Sequence, residues 1–263
     1  MSRSSFTEAQ PDLALNRRQA AMSIAALTIS AQTVGAQTGD TAPASAITTE
    51  LITYSSRGRS IRAGVYRPTR DPRGSGVVYM HGSGSIGPRQ LRYARTFAEN
   101  GYVAIVPTYL DAAADDLVRG AAVMNAWRAC ASDAVDWLIS DGVDPPNTAL
   151  TGYSLGSFIA VDGALGNCRA GAAIGVAGGW DVYPPRPPAR RIPTLIIRAE
   201  RDSHVRPQGT EQWRQFLVDR DVPVRMQIIR GAGHIMSLSE WDQVSAASLR
   251  FLEGNAGGRR KQS

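Results

Sequence analysis

From residue 47 onward, short apolar runs alternate with longer stretches whose apolar positions recur at helical spacing. Apolar and polar residues alternate over 47–55 and 61–66, which predicts two strands broken by Arg67-Pro68 and by Pro72 and Gly74. Val77-Val78-Tyr79-Met80, 103–106, 148–151, 172–177, 194–199 and 224–229 are short runs that read as further strands. Most are apolar throughout, as in strands covered on both faces. Helical spacing predicts helices over 91–99, 116–139, 157–165, 210–219 and 239–252. Strands alternating with helices imply α/β architecture: a mostly parallel sheet with helices on both faces, in one domain over 47–253. The proline cluster from Pro184 to Pro188 is a stiff connection, too short to link two domains.

The N-terminal part has a different character. Arg17-Arg18 precede a weakly apolar run over 20–34, and Val34-Gly35-Ala36 offers small residues where a signal peptidase would cut. This predicts a secretory signal over 1–36 and a flexible mature N-terminus over 37–46, with export to the periplasm or beyond. The paired arginines resemble a twin-arginine signal, although Asn16 precedes them and Ala20-Ala21 follow where bulkier residues are common. The alternative is an amphipathic helix on a cytoplasmic protein. A run of about 15 weakly apolar residues falls short of the ~20 that span a bilayer, so no stable membrane span is expected. Residues 254–263 form a basic, glycine-rich tail.

The composition narrows the function classes. The chain has 263 residues, 43% hydrophobic and 20% charged, which excludes a mostly disordered protein. The net charge of +6 gathers largely at the ends, in Arg3, Arg17, Arg18, Arg259, Arg260 and Lys261. The body is close to neutral and lacks a basic stripe with interleaved aromatics, so no nucleic-acid partner is expected. Cys130 and Cys168 flank the central strand and allow either a disulfide or two buried free thiols. Neither belongs to a CxxC motif, and no His and carboxylate cluster has metal-ligand spacing. HGSGSIG lacks the lysine of a phosphate-binding loop. No metal or cofactor is expected.

Gly152-Tyr153-Ser154-Leu155-Gly156 is a G-x-S-x-G motif between a predicted strand and a predicted helix. So sharp a turn strains the serine backbone and leaves no room for side chains two residues before and after it. A serine hydroxyl is a poor nucleophile near neutral pH and needs a base, which in turn needs an orienting group. His234, in the loop after the strand 224–229, is the candidate base. Asp202, after the strand 194–199, is the candidate orienting acid, with Asp181 one strand earlier as its rival and Glu200 expected to point elsewhere. His81 is expected to shape the loop after Met80, and His204 to line a loop or pocket rim. Tyr109, Trp180, Tyr183 and Arg206 fall in loops at the same sheet edge, where open α/β folds bind ligands, and are candidate pocket walls for a small-molecule acyl substrate.

The order Ser154, Asp202, His234, each after a strand, resembles the α/β-hydrolase fold. Within it the chain resembles the dienelactone hydrolase-related group, through RAERDSHV, RGAGH and the lack of a large cap domain between Ala177 and Thr194. One departure stands out: the namesake enzymes use a cysteine nucleophile where this chain has Ser154. The resemblance implies an oxyanion hole formed by Leu155 and, in the HGSG loop, Ser83, with Gly84 as its neighbour. It also implies a serine hydrolase acting on a carboxylic ester, lactone or similar acyl compound. A peptidase, an acyltransferase or a non-catalytic binding protein on this scaffold are the alternatives. Substrate identity, acyl chain length and oligomeric state are not written in these motifs.

Overall fold

The computed structural model describes residues 46–84, 86–113, 120–180 and 185–255. The expected signal segment and the tail beyond residue 255 lie outside the described residues, as do the first residues expected in the long helix over 116–139.

Eight strands form one sheet in the order β1-β2-β4-β3-β5-β6-β7-β8. They are β1 (Ile47–Ser56), β2 (Arg59–Pro68), β3 (Ser75–Met80), β4 (Tyr102–Pro107), β5 (Thr148–Tyr153), β6 (Ala172–Val176), β7 (Thr194–Ala199) and β8 (Val224–Ile229). β1 and β2 pair antiparallel, as do β2 and β4, and the remaining pairs are parallel. Among the described residues five α-helices cover the sheet: α1 (Pro88–Glu99), α2 (Ala121–Ser140), α3 (Leu155–Leu165), α4 (Pro207–Val218) and α5 (Leu238–Asn255).

The apolar runs read as doubly covered strands are so. Every residue of β3 is buried. Val77 and Tyr79 face a core with Tyr93 and Phe97 of α1 and Trp241 and Phe251 of α5. Val78 and Met80 face a second core with Trp127 of α2, Ile159 of α3 and Trp213 of α4. Period-two alternation thus feeds two apolar layers from one strand. At the sheet's ends, β1 and β8 keep exposed positions, as edge strands must.

Helix boundaries shift where capping chemistry decides them. α1 begins at Pro88, three residues earlier than apolar spacing predicts, because proline fits the first helical position. The Gln90 side chain accepts the Gly87 N–H at 2.7 Å. α3 begins at Leu155, two residues earlier than predicted, with Ser154 itself as the cap. α5 runs past Gly254 to Asn255. Cys130 and Cys168 are both free, buried thiols. Tyr54 Oη donates to the Cys130 carbonyl at 3.1 Å and lies 3.0 Å from its sulfur, and burial pushes the Cys130 thiol up to about 12.

The strand order locates the site. From β3 the chain crosses to β4 on one side, then returns past β3 to β5 on the other. The loops after β3 and β5 therefore diverge, opening a crevice at their C-terminal ends. The turn from β5 into α3 lies there. Ser154 has φ 54° and ψ −121°, a left-handed backbone that a side chain strains to adopt. Every residue of α3 is buried, so the turn is pressed against the sheet from behind. A Cβ on Gly152 would lie 2.0 Å from the Gly156 carbonyl oxygen, and one on Gly156 would lie 2.0 Å from that of Met80.

Gly156→Ala is therefore expected to lose at least ~3 kcal/mol of stability or to fail to fold, because a rigid backbone must move to admit the methyl group. Gly254→Ala, inside α5 with nothing within 4 Å of its Cβ position, is expected to gain about 0.5–1 kcal/mol. Urea unfolding of the two variants beside the parent checks both.

Candidate active site

Three loops meet at the C-terminal edge of the sheet, after β5, β7 and β8. Ser154 Oγ lies 3.0 Å from His234 Nε2, and His234 Nδ1 lies 2.8 Å from Asp202 Oδ2. Because a carboxylate only accepts, Nδ1 carries the proton and Nε2 is left to accept from the serine hydroxyl. The other carboxylate oxygen, Oδ1, accepts the backbone N–H of His204 at 2.9 Å and of Val205 at 2.8 Å. Burial raises the Asp202 carboxyl, but hydrogen bonds from the His234 ring and the Val205 and His204 amides outweigh it. The carboxyl is held below the usual aspartate range.

The imidazole is held by the fold. The Tyr153 hydroxyl donates to the His234 carbonyl at 2.6 Å, and their rings lie 5.3 Å apart. Burial raises the Tyr153 phenol, which keeps it a donor. His204 stacks on His234 with centroids 4.9 Å apart and planes 21° apart. Glu200 Oε2 accepts the Gly231 N–H at 2.8 Å, and Arg201 N–H donates to the Ala232 carbonyl at 2.8 Å. The loops bearing Asp202 and His234 are thereby tied together. On the serine side, the Ser154 N–H donates to the Val176 carbonyl at 2.8 Å and its carbonyl accepts Ser157 Oγ at 2.6 Å.

The loop after β3 closes over this group. A Cβ on Gly82 would lie 3.5 Å from Ser154 Cβ and 3.1 Å from the Tyr153 ring, so the segment carrying Ser83 runs beside the serine. His81 is buried and turned into its own loop, with Nδ1 2.7 Å from the Gly82 carbonyl. Burial lowers its pKa, which suits a shaping role for a neutral ring. Leu155 opens α3, and its N–H belongs to a helical first turn whose donors lack intrahelical acceptors.

Of the expected pocket walls among the described residues, Tyr109 alone is withdrawn from the surface. Tyr109, expected as a pocket wall, is fully buried. It donates its hydroxyl to the His81 carbonyl at 2.9 Å and packs on Trp127, so it supports the loop from below. Trp180 is half-buried, edge-to-face against Phe216 of α4. Arg206 is exposed, and its carbonyl caps α4 by accepting the Gly209 and Thr210 N–H groups. Tyr183 and the rival acid Asp181 lie outside the described residues. Glu200 does point elsewhere, yet it anchors the histidine loop. Tyr153, Ser157 and Glu200 carry no motif for these roles. Tyr153 reaches a partner 81 residues away, which only the fold brings near.

Among the described residues no group of His, Cys, Asp and Glu could hold a metal ion, and no helix is long and apolar enough to cross a membrane. The arrangement can draw a proton from an alcohol into an imidazole while a buried carboxylate balances the charge, beside the positive end of a helix.

A model of the dienelactone hydrolase family matches residues 61–248. No functionally curated protein matches the sequence. Among solved structures, a dienelactone hydrolase from Anabaena variabilis is 17% identical, with a TM-score of 0.64 over 81% of this chain and 100% of its own. A hyperthermophilic esterase from Pyrobaculum calidifontis is 21% identical, with a TM-score of 0.61 over 78% of this chain and 85% of its own. An α/β serine hydrolase homologue from Coxiella burnetii is 16% identical, with a TM-score of 0.62 over 77% and 97%. At such identities the likeness is one of fold, and the fold is that of an α/β hydrolase without a separate cap. With the family model spanning most of its length, the chain belongs to the dienelactone hydrolase family and is a hydrolase.

Proposed function

We propose that the protein cleaves a carboxylic ester, lactone or similarly small acyl substrate through an acyl-enzyme on Ser154. The observation that carries this reading is the unbroken relay from Ser154 Oγ to His234 Nε2 at 3.0 Å and from His234 Nδ1 to Asp202 Oδ2 at 2.8 Å.

In this mechanism Ser154 Oγ attacks the carbonyl carbon as its proton passes to His234 Nε2. Asp202 holds the imidazole in the required tautomer and balances the imidazolium charge. The oxygen that becomes negative is met by the Leu155 N–H at the positive end of α3 and by a donor from the Ser83 segment. Each such donor is worth about 3–4 kcal/mol to the transition state. As the bond to the leaving alcohol breaks, His234 returns the proton to the departing oxygen. A water molecule, deprotonated by His234, then attacks the acyl-enzyme and frees Ser154. The fold carries no separate cap, which favours small substrates. The N-terminal 36 residues support export, so the hydrolase would act in the periplasm or outside the cell.

Ser154→Ala is expected to lower kcat/KM by about 10⁴-fold or more. Its urea midpoint should stay near that of the parent, since the change leaves almost no cavity. A fluorophosphonate probe should label Ser154 in the parent; folded protein that stays unlabelled would point to a binding protein instead.

On a p-nitrophenyl ester series, activity should peak at short acyl chains. Strong activity on palmitate alone would contradict an open, shallow crevice.

Acid should unfold the protein partly through Asp202. Its carboxyl titrates lower in the native state than the ~3.9 of an unfolded chain. Between those values the unfolded chain binds more protons, so its stabilising effect is complete above about pH 5 and fades as pH falls through the native value. The stability gap between the parent and Asp202→Asn should therefore narrow from pH 7 to pH 3 in urea unfolding. A gap constant with pH would remove the carboxylate from this role.

A further inference from the structure

Beside His234 the surface carries an apolar groove of about 520 Å³. Pro88, at the start of α1, forms one wall, and Ile235, Met236 and Leu238 form the other, while Tyr153 and Trp241 are buried beneath. Ile235 is 70% exposed and Leu238 49% exposed, two large apolar side chains left in water on one rim. Scattered apolar residues need no explanation, but a rim of them over an aromatic floor marks a binding surface. Among the described lining residues the one charge is Arg89, whose guanidinium donates to the Met236 carbonyl at 3.4 Å across the groove. Nothing in the lining calls for a charged ligand.

The groove borders the candidate active site through Tyr153, which lines it and packs on the His234 ring. Tyr153 also precedes Ser154, and Ile235 directly follows His234. We propose that this groove is the subsite for an apolar alcohol portion of the substrate. The inference rests on the serine-hydrolase reading above. In the collapse of the tetrahedral intermediate the bond between the acyl carbon and the leaving oxygen breaks, and that oxygen takes its proton from His234 Nε2. The alcohol portion must therefore depart past the imidazole, and Tyr153, whose ring packs on that imidazole, forms the floor of this groove. The acyl portion stays bonded to Ser154 Oγ.

Two ester series separate the portions: acetates of alcohols from methanol to hexanol, and methyl esters of acids from acetic to hexanoic. With the full chain, the kcat/KM ratio of hexyl acetate to methyl acetate should exceed one. It should fall about tenfold in Ile235→Ser and again in the double variant with Leu238→Ser, each substitution removing a contact worth one or two methylenes. The ratio of methyl hexanoate to methyl acetate should stay as in the parent. Because Ile235 is mostly solvent-exposed, the first variant should fold as the parent does. A fall in the acyl ratio instead, or no change in either ratio, would overturn the subsite. A parent protein that hydrolyses neither series and resists fluorophosphonate at Ser154 would instead overturn the hydrolase reading beneath it.

Discussion

At Gly156 the first turn of α3 rests backbone on backbone against the end of β3, so close that a single methyl group would meet the Met80 carbonyl oxygen at 2.0 Å. That contact fixes the rest. It presses the helix start onto the sheet, with Ser154 in a left-handed conformation as its cap and Leu155 as its first residue. Strain of this kind persists only when its surroundings over-determine it. Here they do: the Ser154 amide and carbonyl are both bonded, and every residue of α3 is buried.

The same economy governs the carboxylate. Burying Asp202 costs solvation, and an isolated charge there would be neutralised by its environment. Three donors from two sources prevent that: the His234 ring on one oxygen, and the consecutive amides of His204 and Val205 on the other. Because the two amides belong to the loop that carries Asp202, the carboxylate is oriented before the imidazole arrives. Glu200 and Arg201 then fasten that loop to the one bearing His234. The relay is therefore assembled from rigid pieces, as the proposed alcohol nucleophile, which would depend on its base throughout, requires. A cysteine, as in the enzymes that name the family, ionises more readily and leans on such a base less.

Much of this was legible from the chain alone. Apolar runs such as 77–80 and 194–199 marked strands covered on both faces, and the glycines around Ser154 announced the turn. With three histidines, and one of them after the last strand, the candidate base could be named, and Asp202 stood one strand earlier. What remained hidden depends on distant partners. Tyr109 looked like a pocket wall because it follows β4 at the ligand-binding edge, yet its ring is apolar enough to bury and its hydroxyl finds the His81 carbonyl beneath the loop. Periodicity located α1 and α3 but not their starts, which caps decide locally.

His81 and Tyr109 show how the loop after β3 is built for shape. A buried imidazole costs least when neutral, and His81 satisfies its ring within its own turn. Tyr109 adds a hydroxyl from below and an edge against Trp127. The loop is thus held by neutral groups, which contribute no net charge to compete with Asp202 for the His234 proton. A charged support at that place would shift the relay it encloses. Among the described residues the carboxylate bonded to the imidazole is Asp202, and the proposed oxyanion side is left to amides, which would suit negative charge that appears only as a substrate reacts.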